Sequence, residues 1–425
     1  MLDLTGKSVA VLGAGRSGRA AARLALHCGA SVTLYDSNEA PDAVQATVES
    51  GREVCVDLVV VSPGIETHGE FVQSFCEGSG ALWGETELAW RCYPGKTIAI
   101  TGTNGKTTTT ELVRDLVEAT GRTCVACGNY GVPLSEVVLY DEVPEVIALE
   151  ASSFQLETMV DFQPDAVVWL NFSADHMDRY RSLQEYLEAK RHIFDNITPD
   201  TPVVVRKGSP VPDKGTITTF SADEEADWSL AGDEIRCRGE VFVKLSATRL
   251  RGLHNAENLM AACAVVDGLT AEVAVRALSK YSPPEHRCEL VAIIDDVEYL
   301  NDSKATNLHA LESALRSQTR PTLLIAGGKE KGLDYRPLLP VLKEQARFAV
   351  TFGEIGPALA EVFGEAVPTV SVATLDEAVT AAAQEARPGE TVLFSPGTSS
   401  FDQFNGYQER GLAFKKAVPK LTRTL

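Results

Sequence analysis

One stretch of the chain, Thr101-Gly-Thr-Asn-Gly-Lys-Thr-Thr-Thr-Thr110, has residue types suited to holding phosphates. Small residues expose backbone amides to anionic oxygens, Lys106 supplies a point charge, and the Thr107 hydroxyl can ligate Mg2+. Gly102, Thr103, Asn104, Gly105 and Thr108 would form the rest of the cradle. The match to a strict phosphate loop is partial: Gly105-Lys106-Thr107 fits, but the upstream position holds Ile100 and its glycine is displaced to Gly102. Helix capping alone does not account for four consecutive threonines, which are poor helix formers. Glu150 ends the apolar run Val146-Ile-Ala-Leu149. A carboxylate at the carboxyl end of a parallel strand beside a phosphate loop is placed to be a second metal ligand, although alone it reads equally as a strand-end acid.

Two further residues could carry metal chemistry. His176 lies in the polar segment after the run Val167-Val-Trp-Leu170, as a metal ligand or an ordinary loop residue. Ser182, with Glu185 three residues on, has the form of a capping box. The helix that follows places Lys190 on the apolar stripe of Leu183, Leu187 and Phe194. A lysine facing a core is costly unless paired or neutral, and desolvation lowers its pKa. A neutral amine can take up CO2 as a carbamate, which is an anion and a metal ligand. Periodicity alone favours the plainer reading, a lysine whose head snorkels to solvent.

A second glycine loop, Gly13-Ala-Gly15-Arg-Ser-Gly18, follows the strand pattern at 7–12 and opens a helical stretch ending near Gly29. A second strand at 31–35 ends on Asp36. This arrangement suits a diphosphate at a helix N-terminus, with the acid on a ribose hydroxyl. A nicotinamide cofactor, another diphosphate such as a UDP-sugar, and a ligand-free tight turn all fit it.

The elements that must position these residues alternate short apolar runs with helical stretches, the pattern of an α/β protein with mainly parallel sheets. Pro/Gly punctuation next to fresh strand signals divides the chain into 1–93, 94–284 and 285–425, with breaks at Tyr93-Pro94-Gly95 and Ser282-Pro283-Pro284. A length of 425 residues suits several domains. The formal net charge of −20 argues against nucleic acid as a partner, so any positive site must be local. Neither a signal-peptide pattern nor an apolar run long enough to insert in a membrane is visible. Nine scattered cysteines, with Cys124 and Cys127 as a lone CxxC, read as reduced thiols of a cytoplasmic protein.

Five motifs taken in order, ITGTNGKTTT, Glu150-Ala-Ser-Ser-Phe-Gln-Leu-Glu157, Asp175-His-Met-Asp-Arg-Tyr180, His254-Asn-Ala-Glu-Asn258 and Asn301-Asp-Ser-Lys-Ala-Thr-Asn307, resemble the Mur ligase family over nearly the whole chain. The resemblance implies three domains: a Rossmann-like UDP-binding one, a central ATP-binding one of phosphate-loop type, and a Rossmann-like one that receives an amino acid. It implies ATP-dependent joining of D-glutamate to UDP-N-acetylmuramoyl-L-alanine through an acyl phosphate, by a monomer. By the same resemblance Lys106 contacts ATP phosphates. Thr107 and Glu150 hold one Mg2+, and His176 and a carbamylated Lys190 hold a second. Asn258, Arg287 and Asp302 complete the ATP site. Arg16, Ser17, Asp36, Ser37, Gly64 and Asn129 face the UDP substrate, with Arg179 near the acyl phosphate. Lys304, Thr306, Lys331, Ser400 and Tyr407 receive D-glutamate. Gly397-Thr-Ser, Tyr407 and Lys329-Glu-Lys331 depart from common family patterns and bear on fine substrate discrimination. Three other readings stay open on residues alone: a nicotinamide-dependent oxidoreductase, a non-catalytic UDP-sugar sensor, and a sibling ligase for another amino acid.

Overall fold

Short apolar runs alternating with helices build three sheets in the computed structural model, which describes residues 2–177, 179–250, 252–281 and 285–423. The first sheet holds β1 (Ser8–Leu12), β2 (Ser31–Asp36), β3 (Val44–Gln45), β4 (Leu58–Val61) and β5 (Ala81–Gly84) in the order β3-β2-β1-β4-β5. All its pairs are parallel. The unbroken apolar runs of β1 and β4 suit strands covered on both faces.

The second sheet holds β6 (Lys96–Thr101), β7 (Cys124–Gly128), β8 (Val146–Glu150), β9 (Ala166–Trp169), β10 (Pro202–Arg206), β11 (Thr216–Ser221), β12 (Trp228–Ala231), β13 (Glu234–Cys237) and β14 (Glu240–Lys244). Their order is β14-β13-β12-β11-β10-β9-β6-β8-β7. Pairing is parallel from β7 across to β12, then antiparallel through β13 and β14. That antiparallel extension was not anticipated from the sequence. The third sheet holds β15 (Glu289–Ile294), β16 (Val297–Asn301), β17 (Thr322–Gly327), β18 (Ala346–Phe352), β19 (Thr369–Ser371) and β20 (Thr391–Phe394), ordered β15-β16-β20-β17-β18-β19. Only its β15–β16 pair is antiparallel.

Residues up to 248 together with 257–281 form one compact unit, and 249–256 together with residues from 285 onward form another. The expected break at 93/94 is a change of sheet inside the first unit. A single apolar cluster there takes Val9, Leu24 and Leu88 from around the first sheet and Val137, Leu156 and Trp169 from around the second. The expected break at Ser282-Pro283-Pro284 lies outside the described residues. All nine cysteines are free thiols, and burial pushes Cys124 up to about 12. No described helix is long and apolar enough to cross a membrane.

Candidate functional site

In the first unit the phosphate loop leaves the carboxyl end of β6, between β9 and β8, and enters the helix Lys106–Ala119. Gly105 caps that helix with φ +86°, and a Cβ there would run into Asn258 Oδ1. A side chain at this position is therefore both strained and obstructed. The loop is fastened to the segment after β9. Thr103 N donates to Asn171 O at 3.1 Å, Asn104 N to Asn171 Oδ1 at 2.8 Å, and Asn171 Nδ2 to Asn104 O at 3.0 Å. Lys106 Nζ donates to Gly102 O at 2.9 Å and Thr103 O at 2.8 Å, so its charge lies over the loop. Thr107 and Thr108 are buried in the first helical turn.

Glu150 ends β8 in register with Ile100 of β6 and Gly128 of β7. Asn129, just past β7, clamps it: Asn129 N donates to Glu150 O at 2.9 Å and Asn129 Nδ2 to Glu150 Oε1 at 2.8 Å. The other oxygen, Oε2, is buried without a hydrogen-bond partner among the described residues. An orphaned buried carboxylate oxygen beside a phosphate loop fits a bound cation. Among the described residues no three His, Cys, Asp or Glu side chains cluster as a metal site. A cation here would therefore draw its other ligands from hydroxyls, water or phosphate oxygens, as Mg2+ does.

The helix Leu183–Arg191 corrects the snorkelling reading of Lys190. Leu183 is 44% exposed, whereas Tyr186, Leu187, Ala189 and Lys190 form the buried face. Lys190 is 1% exposed, with Nζ donating to Gly102 O at 2.8 Å and lying 4.9 Å from the Tyr186 ring centroid. Burial first, then the Lys106 ammonium, holds its pKa well below the lysine range, with Asp175 and Glu150 pulling the other way. The capping box is half formed. Ser182 Oγ accepts from Glu185 N at 3.1 Å, but Glu185 Oε2 takes Arg181 N. His176 adopts φ +56° and packs edge-on to Phe154 and Tyr186, at 4.9 and 6.0 Å between centroids. Tyr186 is thus a shared neighbour of His176 and Lys190, and its hydroxyl is 3.5 Å from Thr103 Oγ1. Sequence reasoning missed this residue; an aromatic one turn before an inward lysine is the signal that was present.

The first glycine loop leaves β1 and enters the helix Arg16–His27. A Cβ on Gly18 would strike Gly13 O, so helix and turn press together. Asp36 is committed to this turn, its Oδ2 accepting from Ala14 N at 2.7 Å and its Oδ1 from Asn38 N at 2.9 Å. These bonds lower its pKa. Arg16 reaches Gly131 O at 2.9 Å and Glu136 at 3.2 Å, beside Asn129 in sequence. Ser17 is half-buried; Ser37 and Gly64 are exposed. Arg179 stacks over the Phe154 ring at 3.8 Å, pairs with Glu157 at 3.4 Å, and donates to Ile65 O at 3.3 Å, next to Gly64. Its neighbour Asp178 lies outside the described residues.

In the second unit the candidate residues follow the carboxyl ends of three adjacent strands: Lys304 and Thr306 after β16, Ser400 after β20, and Lys331 after β17. Lys304 Nζ lies 5.4 Å from the Tyr407 ring centroid, and Lys331 Nζ donates to Thr306 O at 3.4 Å. Asp302 accepts from Ser395 Oγ at 2.8 Å and Cys288 N at 3.2 Å, and burial pushes it up to about 7. The buried atoms Arg287 Nε and His254 Nδ1 have no partner among the described residues. Arg410, which no sequence pattern singled out, is fully buried. Its guanidinium donates to Ser303 Oγ at 3.1 Å, Ser303 O at 2.8 Å and Thr398 O at 3.1 Å, tying the β16 and β20 loops together. Asn258 belongs to the first unit, and Arg287 and Asp302 to the second.

The chain matches the Mur ligase middle domain over residues 100–266 and the Mur ligase glutamate ligase domain over residues 286–397. It is 36% identical to the UDP-N-acetylmuramoylalanine–D-glutamate ligase of Chlorobium chlorochromatii, covering 98% of this chain and 99% of that protein. It is 37% identical to the protein of that name from Desulfitobacterium hafniense, covering 98% of each. Among solved structures it is similar to the MurF ligase of Thermotoga maritima in complex with ADP, with a TM-score of 0.60 and 16% identity over 98% of this chain and 96% of that one. It is also similar to a MurF of Acinetobacter baumannii, with a TM-score of 0.62 and 15% identity over 98% of this chain and 93% of that one. At those identities the structures speak for the fold.

Proposed function

The chain belongs to the Mur ligase family, and on that premise we propose that it joins D-glutamate to UDP-N-acetylmuramoyl-L-alanine at the expense of ATP, as a cytoplasmic monomer supplying peptidoglycan precursors. The observation that carries the reading is the meeting of the half-buried Lys106 and the buried Lys190 on Gly102 O, just past β6, whose Ile100 is paired with Glu150 at the end of β8.

The reaction needs charge screening and positioning more than proton transfer. An oxygen of the alanyl carboxylate attacks the γ-phosphorus of ATP, the bond to the bridging oxygen breaks, and ADP leaves. The neutral amine of D-glutamate then attacks the acyl carbon and loses a proton, and phosphate departs. Loop amides and Lys106 hold the ATP phosphates. Thr107 and Glu150 would hold Mg2+, which supplies Lewis-acid screening of the phosphate oxygens. A carbamylated Lys190 with His176 would hold a second ion; burial that lowers the pKa of the amine favours the neutral form that takes up CO2. Asn129 orients Glu150 and borders the UDP substrate, whose diphosphate we assign to the Gly13–Gly18 turn with Arg16, Ser17, Ser37 and Gly64. Asp36 holds that turn in shape. Arg179 lies near the acyl phosphate.

Asn258, Arg287 and Asp302 serve the rest of ATP. Lys304, Lys331, Thr306, Ser400 and Tyr407 serve the two carboxylates of D-glutamate. Each sheet with its helices is then a functional domain: UDP-binding, ATP-binding and amino-acid-binding. Phosphate release measured with UDP-N-acetylmuramoyl-L-alanine and a panel of amino acids tests the reading. Release should require ATP, Mg2+ and D-glutamate, with little from L-glutamate; preference for another amino acid would refute the assignment.

A further inference from the structure

The helix Glu85–Cys92 begins with a buried carboxylate that no step above uses. Glu85 and Thr86 are each 1% exposed, and Gln155 is 3% exposed. Glu85 Oε1 accepts from Ser135 N at 2.7 Å, and its Oε2 from Thr86 Oγ1 at 3.3 Å. Thr86 Oγ1 in turn accepts from Gln155 Nε2 at 3.1 Å. Gln155 Oε1 accepts from Ser152 N at 3.0 Å and Ser152 Oγ at 2.9 Å. Ser152 stands just past Glu150 at the end of β8. Ser135 stands in the first turn of the helix Leu134–Val138, which follows the loop that starts with Asn129. The Asn129–Glu150 bonds close the circuit, at 2.9 Å through the backbone and 2.8 Å through the side chains.

The circuit is built to close tolerances. Gly84 N donates to Thr158 O at 3.2 Å, and a Cβ on Gly84 would strike Thr158 Oγ1. The start of the helix is therefore pressed directly onto the segment that carries Ser152 and Gln155. Removing one member leaves a buried donor or acceptor unsatisfied, so each bond holds its neighbours in one arrangement. Glu85 and Thr86 thus hold Ser135, in the segment that follows Asn129, and Gln155, in the segment that follows Glu150.

We propose that Thr86 and Gln155, with Glu85 as their buried acceptor, are positioning residues that fix the Glu150 carboxylate and Asn129 in the geometry needed to hold a divalent cation. The claim rests on Glu150 being a cation-holding carboxylate, as argued above. Asn129 holds Glu150 Oε1 and so leaves the buried Oε2 for the cation, and the Glu85–Ser135 bond anchors the segment that follows Asn129. Loss of a group that orients a metal ligand typically lowers metal affinity by about 10–100-fold, and groups further back should act at the lower end of that range.

Thr86→Val removes the hydroxyl at nearly constant volume and strands Gln155 Nε2. Binding of Mn2+ in the presence of ADP, read by electron paramagnetic resonance, should weaken about tenfold. The Mg2+ concentration for half-maximal phosphate release should rise in step, while the KM for D-glutamate holds. Thr86→Ser keeps the hydroxyl and should restore both. A folded Thr86→Val protein that binds Mn2+ as the wild type does overturns the proposal; so does a Thr86→Ser protein as impaired as the valine variant. Should Thr86→Val fail to fold, Gln155→Met is measured in the same way: weakened Mn2+ binding supports the proposal and unchanged binding overturns it. A wild type that binds no Mn2+ with ADP sinks the parent reading of Glu150 instead, so the two failures are distinguishable.

Discussion

Replacing Lys190 by methionine should abolish activity and stabilise the fold, and the stabilisation should depend on pH with a calculable slope. The amine is buried, and its pKa is depressed first by desolvation and then by the neighbouring Lys106. In the unfolded chain a lysine titrates near ~10.4. Between the depressed folded value and ~10.4 the unfolded state therefore binds one proton more than the folded state. Stability then rises with pH by about 1.4 kcal/mol per pH unit and levels off once the unfolded lysine also loses its proton. Methionine removes this term while keeping an unbranched side chain of similar reach. It leaves no orphan at Gly102 O, which also accepts from Lys106 Nζ at 2.9 Å. Urea midpoints followed by tryptophan fluorescence, in CO2-free buffers spaced across the neutral to alkaline range, give the difference between the two proteins. The advantage of Lys190→Met should be greatest at the lowest pH and shrink steadily as pH rises. Parallel stability curves would show that the folded amine titrates as an ordinary lysine, and the argument for a neutral, CO2-reactive group would fall.

Gly105→Ala should raise the KM for ATP at least tenfold in an otherwise folded protein, because φ +86° and the contact with Asn258 together store about 1–3 kcal/mol of strain in the loop; a KM within twofold of wild type, in steady-state kinetics, would contradict this. Arg410→Lys keeps a positive charge but loses the planar fork that joins Ser303 to Thr398. It should raise the KM for D-glutamate by about tenfold through loss of roughly 1–2 kcal/mol of hydrogen bonding, with ATP binding by calorimetry unchanged. Asp302→Asn tests the carboxyl that burial raises to about 7. Between about pH 4 and that value the folded state holds a proton the unfolded state has lost, so wild-type stability falls as pH rises. The variant's advantage in denaturation midpoint should grow across that window and then stay constant.

Much of the site could be read from residues because it sits where short apolar strands end. β1, β2, β6, β8 and β9 each announce themselves as an apolar run followed by Gly, Asp, Glu or Asn. Periodicity put Lys190 on an inward stripe, and Leu187, Lys190 and Phe194 are indeed buried; what it could not show is that Tyr186 and Ala189 enclose the amine as well, while Leu183 at the start of the helix faces out. The antiparallel run from β12 to β14 is made of strands only four or five residues long, two of which open on a glutamate, and it went unread. The run Glu85-Thr86-Glu87 looks like an ordinary acidic first turn favoured by the helix dipole. Only the structure shows that Glu85 reaches Ser135 and that Glu87 accepts from Val160 N and Asp161 N, at 3.1 and 3.0 Å. Such roles depend on partners distant in sequence, which no local pattern records.

A chain with a net charge of −20 has to keep positive charge available where anionic substrates must bind. An ion pair would orient a cation but largely cancel it, whereas a backbone carbonyl orients it through a dipole and leaves its net charge intact. Backbone carbonyls hold several of the cations. Lys106 lies on Gly102 O and Thr103 O, Lys331 on Thr306 O, and Arg410 on Ser303 O and Thr398 O. Among the described residues neither Lys331 nor Arg410 has a carboxylate within ion-pair distance. Where the candidate cations do pair, as Arg16 with Glu136 and Arg179 with Glu157, each also holds a backbone carbonyl, Gly131 O and Ile65 O. Substrate phosphate or carboxylate competing for such a cation displaces a neutral dipole rather than a formal charge, which favours the anion even in a strongly acidic protein.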